Sequence, residues 1–154
     1  MANPQYGQNK ADGELGNGMY VVIGPTVSIA ADDVANGDLI GGVNLPANTM
    51  VHKCQLETIV AASGGTAADT EIDVGTAGDP DMILDDVNGD ADAAGLGTAG
   101  QLVSAGGTVA IGAEGYFLTN PERISIKIVA ESSTAGSCRL VIWASSPEVI
   151  GSSL

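Results

Sequence analysis

Apolar and polar residues alternate in short stretches along most of this 154-residue chain, and each stretch is broken by Gly, Pro, Asn or Asp. Successive side chains of a strand point to opposite faces, so this pattern encodes half-buried β-strands rather than helices. It predicts strands over Met19–Ile23, ended by Gly24-Pro25, and over Thr26–Ala30, followed by a turn of Asp32, Asp33, Asn36 and Gly37. Asp38–Leu45 is next, closed by Pro46-Ala47-Asn48, and then Thr49–Ala62, the longest. In that strand Met50, Cys54, Leu56 and Val60 fall on one face, and Lys53, Gln55 and Glu57 on the other. Thr70–Thr76 sets Ile72 and Val74 against Glu71 and Asp73. Thr108–Ile111, Tyr116–Leu118, Arg123–Ala130 and Ser137–Ser145 complete the set. In the last two, Ile124, Ile126 and Ile128, then Cys138, Leu140 and Ile142, mark the buried faces. Eight or nine strands at such spacing, with almost no helix, describe an all-β fold: an antiparallel β-sandwich of about eight strands.

Three segments depart from the alternation. Residues 1–18 are polar, rich in Gly, Asn and Gln, and without a period, the composition of a disordered tail. The sharper expectation is an extended N-terminal arm clasped by a neighbouring subunit, with residues 19–154 forming the sandwich domain. Asp79-Pro80-Asp81 is good helix-start chemistry and predicts about one turn before Gly89. From Gly89 to Gly107 the chain is simple Ala/Gly/Asp sequence, which predicts a long surface loop.

Charge narrows the classes of function. The net charge is −14, beyond the magnitude of about 2 to 8 usual for a small soluble domain. Eight acids, Glu71, Asp73, Asp79, Asp81, Asp85, Asp86, Asp90 and Asp92, crowd one run, and no Lys or Arg occurs from Cys54 to Glu122. Such a surface repels phosphate backbones, so no nucleic-acid partner is expected. Neither a signal-peptide core nor an apolar span of bilayer length occurs, so a cytoplasmic origin and no membrane partner are expected.

Candidate chemistry is sparse. Asp86, Asn88, Asp90 and Asp92 alternate as the start of an EF-hand loop would, and hard oxygen ligands suit Ca²⁺. Glycine, however, stands at the fourth place (Gly89) instead of the sixth, and the twelfth place holds Gly97 where a bidentate Glu is needed. A solvated turn is the expectation, with no metal and no cofactor. His52 and Cys54 are two apart on one strand and point the same way, so a Cys–His pair can be drawn. Nothing supplies an orienting partner or an oxyanion hole, and the stripe around them is mostly apolar, so core or strand-end positions are expected and no enzyme. Acids numerous enough for glycosidase chemistry sit on one segment with few aromatics for stacking. Cys54 and Cys138 could pair if their strands are neighbours; two buried thiols are the expectation in a reducing cytoplasm.

Leu39–Leu45 with Pro46-Ala47-Asn48-Thr49, and Asp73-Val74-Gly75-Thr76-Ala77-Gly78-Asp79-Pro80-Asp81, resemble a group of small structural proteins of tailed bacteriophages. That group carries a strand, a Leu-Pro-Ala turn, a strand running into a D-V-G-x-A-x-D-P-D stretch, an Ala/Gly-rich segment and two alternating C-terminal strands. Here Arg123–Ala130 and Ser137–Ser145 fill the last role, and the resemblance spans about residues 19–145. It implies a jelly-roll-like sandwich and a capsid decoration (cement) protein on the exterior of the virion, made in the host cytoplasm. Its implied partners are the major capsid protein and copies of itself, as a trimer. A head-fibre or tail component is the first alternative, and a carbohydrate or host-surface module using the 79–107 loop the second. No set of functional residues carries over. Pro4, Tyr6 and Leu15 of the arm are expected to make contacts outside the chain's own sandwich.

Overall fold

The computed structural model describes residues 19–89, 95–103 and 115–146. Every predicted strand among them forms: β1 (Met19–Ile23), β2 (Val27–Ser28), β3 (Leu39–Leu45), β4 (Thr49–Ser63), β5 (Glu71–Gly75), β8 (Tyr116–Leu118), β9 (Glu122–Ala130) and β10 (Ala135–Ser145). Two strands that the alternation did not predict, β6 (Leu84–Asn88) and β7 (Leu102–Val103), join them. The expected strand at 108–111 and the arm at 1–18, with Pro4, Tyr6 and Leu15, lie outside the described residues.

The strands form two antiparallel sheets packed as a sandwich. The first runs β1-β10-β4-β7, with β2 also on β10 and β8 also on β4; the second runs β3-β9-β5-β6. Along one edge of the first sheet, β1 pairs with Val141–Ser145 and β2 with Ser137 and Cys138. Gly24-Pro25 interrupts that edge because Pro has no N–H to give the ladder, while the Gly24 N–H still reaches Leu140 O at 2.9 Å. On the other edge, β7 and β8 share β4: Leu102 and Val103 face Glu57 and Leu56, and Tyr116–Leu118 face Val51–Thr49.

Between the sheets lie Cys54, Leu56, Cys138, Leu140 and Ile142 from the first and Ile72, Val74, Ile124, Ile126 and Ile128 from the second, all buried. Period-2 placement therefore holds for β5's apolar residues, for β9 and for β10. Cys54 and Cys138 are buried, free thiols. Cys54 lies across from Ile142 and Cys138 across from Thr58, so the register keeps them from facing each other. Burial pushes both thiols up to about 12, which leaves almost no reactive thiolate at neutral pH.

The predicted faces of β4 fail at bulges. Lys53 pairs with Trp143 and Val51 with Ala144, leaving His52 as an extra residue that shifts the phase. Thr49 and Val51 point inward before it, and Cys54, Leu56 and Thr58 after it. Met50 is half-buried on the outer side, and a second shift near Ile59 leaves Val60 51% exposed. In β3, Gly41 sits at φ +62° in a bulge between Ile40 and Val43, a backbone shape that favours glycine.

The one-turn helix expected at Asp79 does not form. Asp79 O accepts from Thr76 and Met82 N–H groups at 3.0 and 3.4 Å, making a tight turn, and Ile83 N–H bonds Val74 O at 2.9 Å. Met82, Ile83 and Leu84 are all buried, and pairing with β5 satisfies backbone groups that a single helical turn would leave open. The segment read as a free loop from 79 to 107 is likewise tied down where it is described. Val87 and Leu96 enter the core, and Leu96 N–H bonds Asn88 O at 2.8 Å while its carbonyl accepts from Ala62 N–H at 2.9 Å.

Candidate functional site

The two sheets present unlike outer faces. On the second, β5 and β6 pair Ile72 with Val87 and Val74 with Leu84, so three steps on β6 answer two on β5. The surplus is the bulge Asp85-Asp86 opposite Asp73, with Asp86 at φ +56°, a left-handed conformation that Asp accepts more readily than most residues. That geometry turns the Asp86 N–H onto Asp73 Oδ1 at 3.2 Å. From β9, Lys127 Nζ lies 3.8 Å from Asp73 Oδ2. Carboxylate oxygens of Glu71, Asp73 and Asp86 come within 4.8 Å of one another.

Like charges this close favour holding protons. Glu71 lies above the ordinary carboxylate range, first because its protonated carboxyl donates a hydrogen bond to Asp86, then through burial and the charges of Asp86, Asp73 and Asp85. Asp73 is raised by burial foremost; the Asp86 N–H and Lys127 pull it back, while Asp85 and Asp81 add to the rise. At the preceding turn Asp79 is raised through its hydrogen bond with Asp81. In Glu71 and Asp73 the folded state binds protons more tightly than the unfolded chain. Their stabilising contribution is therefore full below the unfolded value of about 4 and is lost as pH rises through the raised folded values. Asp86→Asn keeps a residue suited to the left-handed backbone and removes one charge beside Glu71. It is expected to raise Tm at neutral pH by a few degrees and to shrink the Tm difference between about pH 4 and about pH 7. Thermal melts of both proteins at the two pH values check this; an unchanged difference means the cluster does not set the pH dependence.

The outer face of the first sheet is apolar at its two edges, with Lys53, Glu57 and Arg139 between them and Val141 and Gln55 buried near its middle. Tyr20 and Val22 pack on the core, so Val21 and Ile23 of β1 point out. By register, Val21 lies beside Trp143 and Ile23 beside Val141 on β10, which in turn lie beside Lys53 and Gln55 on β4. Leu102 of β7 and Phe117 of β8 extend the surface, paired with Glu57 and Met50. Ile23, Leu102 and Phe117 are 55%, 46% and 48% exposed. Its charges are few: Lys53 Nζ stands 5.1 Å from the centre of the Trp143 ring, and Arg139 Nε donates to Glu57 Oε2 at 2.6 Å.

The residues singled out in the sequence separate. His52 is exposed at its bulge, with Nε2 2.8 Å from Ser145 Oγ, while Cys54 is buried. They do not form a Cys–His pair, because the bulge turns the histidine out of the stripe. Asp86 and Asn88 lie on a paired strand, and Asp90 and Asp92 lie outside the described residues. The carboxylates that do converge, Glu71 and Asp73 with Asp86, come from two strands. The exposed apolar residues at the edges of the first sheet, Val21 and Ile23 among them, were not anticipated, although a signal existed. Tyr20–Ile23 and Leu140–Trp143 are unbroken apolar runs, and such runs mark strands with apolar contacts on both faces.

No protein-family model matches this sequence, and no curated protein is significantly similar to it. Among solved structures, the chain is similar to one in the capsid asymmetric unit of cyanophage Pam1. The identity is 21%, over 86% of this chain and 89% of that one, with a TM-score of 0.50. It is also similar to a chain in the capsid of Ralstonia phage GP4, 18% identical over 84% of this chain and 85% of that one, with a TM-score of 0.52. At these identities the likeness shows a shared fold.

Proposed function

We propose that this chain is a structural component of a bacteriophage particle, and within that class a decoration protein. In this reading it binds the outside of the head and stabilises it through contacts with the major capsid protein and with copies of itself, in threefold association. The observation that carries the reading is that both similar structures come from phage capsids and are matched along most of their length and of this chain's. Strand order supports it. Counting β1 with β2 and β7 with β8, the chain alternates between the sheets except at the β5–β6 hairpin. That alternation fits the double-sheet jelly rolls common in viral capsids. Chemistry agrees: along β5 and β6 the second sheet's outer face is acidic, a poor surface for a packaged genome and a suitable one for solvent.

Particles purified from the phage that encodes the chain test the reading. The protein is expected in many copies per head, as density on the outer surface of the shell. Heads assembled without it should form and then fail at lower temperature. Absence from purified particles overturns a virion role. Failure of any shell to form without it would assign the chain to the shell itself, and density confined to fibre or tail would assign it there.

A further inference from the structure

We propose that the open edge of β1 takes residues 147–154 of a neighbouring copy as an added strand. The inference deepens the assembly reading above, on which it rests for its setting, by naming the contact between copies. β1 is the end strand of the first sheet, and among the described residues it pairs with β10 alone. The Gly24 N–H bonds Leu140 O, in the register that sets Val22 across from Ile142 and Tyr20 across from Ala144. Bonded and unbonded pairs alternate along an antiparallel ladder. Tyr20 and Val22 therefore turn their N–H and C=O groups to β10, while those of Val21 and Ile23 point to the open side. The other edges carry devices that stop strands from adding. β3 is bent at its Gly41 bulge, β6 carries the bulged Asp85-Asp86, and β2, β7 and β8 have only two or three residues each. β1 has five residues, no charge, no Pro and no break in register.

Where the chain leaves the sandwich identifies the occupant. Ser145, the end of β10, lies across from Met19, so the segment that follows starts beside the β1 edge. Pro147 has no N–H with which to continue the β10 ladder. Val149 and Ile150 behind it are β-branched, the residue type that pleated strands favour, and Glu148 is the segment's one charged side chain. Residues 1–18 contain no Val, Ile or Thr, and residues 104–114 join β7 to β8 on the opposite edge. A chain's own tail fits poorly: it would have to cross residues 1–18 where they enter β1, and connections at one edge of a sheet do not cross. A neighbour's tail meets no such obstacle. Passed around a threefold axis, each copy gives one strand and takes one, so the exchange closes on itself.

The experiment is residue-resolved amide hydrogen exchange by NMR on the full chain, over a dilution series from millimolar concentration downward, with sedimentation velocity on the same samples. Self-association is expected, and in the associated state the Val21 and Ile23 amides should exchange as slowly as those of Tyr20 and Val22. On dilution to monomers Val21 and Ile23 should exchange at least about tenfold faster while Tyr20 and Val22 stay protected. Two variants place a proline on either side of the contact. Val21→Pro removes only an outward N–H, a change that edge strands accept, and Ile150→Pro removes a donor from the tail. Each is expected to weaken association at least about tenfold, the loss of one or two hydrogen bonds. Should Val21→Pro not fold, Ile150→Pro and the wild-type exchange pattern decide. Three results overturn the inference: a wild type that stays monomeric throughout, Val21 and Ile23 amides that exchange at one rate whatever the concentration, or an Ile150→Pro chain that associates as tightly as wild type. None of these touches a particle role, which the head-binding experiment tests separately.

Discussion

Removing residues 1–18 is expected to abolish occupancy of the chain on the phage head while leaving the sandwich folded. The strand that follows the deletion, β1, begins at Met19, which pairs with Ser145, so no described strand loses a residue. In the proposed role the sandwich supplies one contact and the arm another, with Pro4, Tyr6 and Leu15 as its anchors. Two linked contacts hold far more tightly than either alone, by about 10²–10⁴, and cutting one forfeits that gain. The measurement is co-sedimentation of truncated and full-length chains with heads lacking the protein, beside thermal melts of both. A truncated chain that still fills its sites sinks the arm. So does rapid proteolytic loss of the first eighteen residues from assembled particles.

Ile126→Ala is expected to cost about 2–5 kcal/mol of folding stability, the range for large-to-small changes at buried sites. Ile126 is fully buried on β9, between Ile40 of β3 and Val74 of β5, at the centre of the second sheet's inner face. Losing its methyl groups leaves a cavity among strands whose ladders limit collapse. The interior is built mostly from aliphatic residues, with only five aromatic residues in the whole chain. Against a typical total of about 5–15 kcal/mol, the loss is a large share. Leu39→Ala, on the same β3–β9 pair but 48% exposed, is expected to change stability by about 0.5 kcal/mol or less. Denaturant unfolding of the two variants beside wild type reads the contrast; equal losses would mean that the inner face of the second sheet is not the packed core described.

How much of the site was legible follows from where its residues lie. Each carboxylate of the Glu71–Asp73–Asp86 cluster was visible as acid, but its partners were not. Glu71 and Asp73 meet Asp86 only because a bulge in β6 places three steps against two on β5. A bulge changes no composition and leaves no period, so no window of sequence reveals it. Asp73 shows the consequence: alternation put it on an outer, polar face, which is correct, yet it is 5% exposed because Asp86 and Lys127 close over it. His52 is the same lesson in β4. Counting by twos placed it beside Cys54, and one extra residue turned it out to Ser145.

What the sequence determined by itself is the class of fold and the inner faces of its regular strands, because a two-residue period follows from backbone geometry and needs no partner. It likewise determined the strong negative charge and the turn at Pro46-Ala47-Asn48, where Asn48 does take a positive φ of 59°. The tertiary structure alone decided that Leu84–Asn88 is a strand, that β1 with β2 and β7 with β8 share edges, and that Glu71, Asp73 and Asp86 converge from two strands. Those outcomes depend on which strand lies beside which, across separations of tens of residues. Pairing register is set by the whole packed core, and no local stretch of chain holds that information.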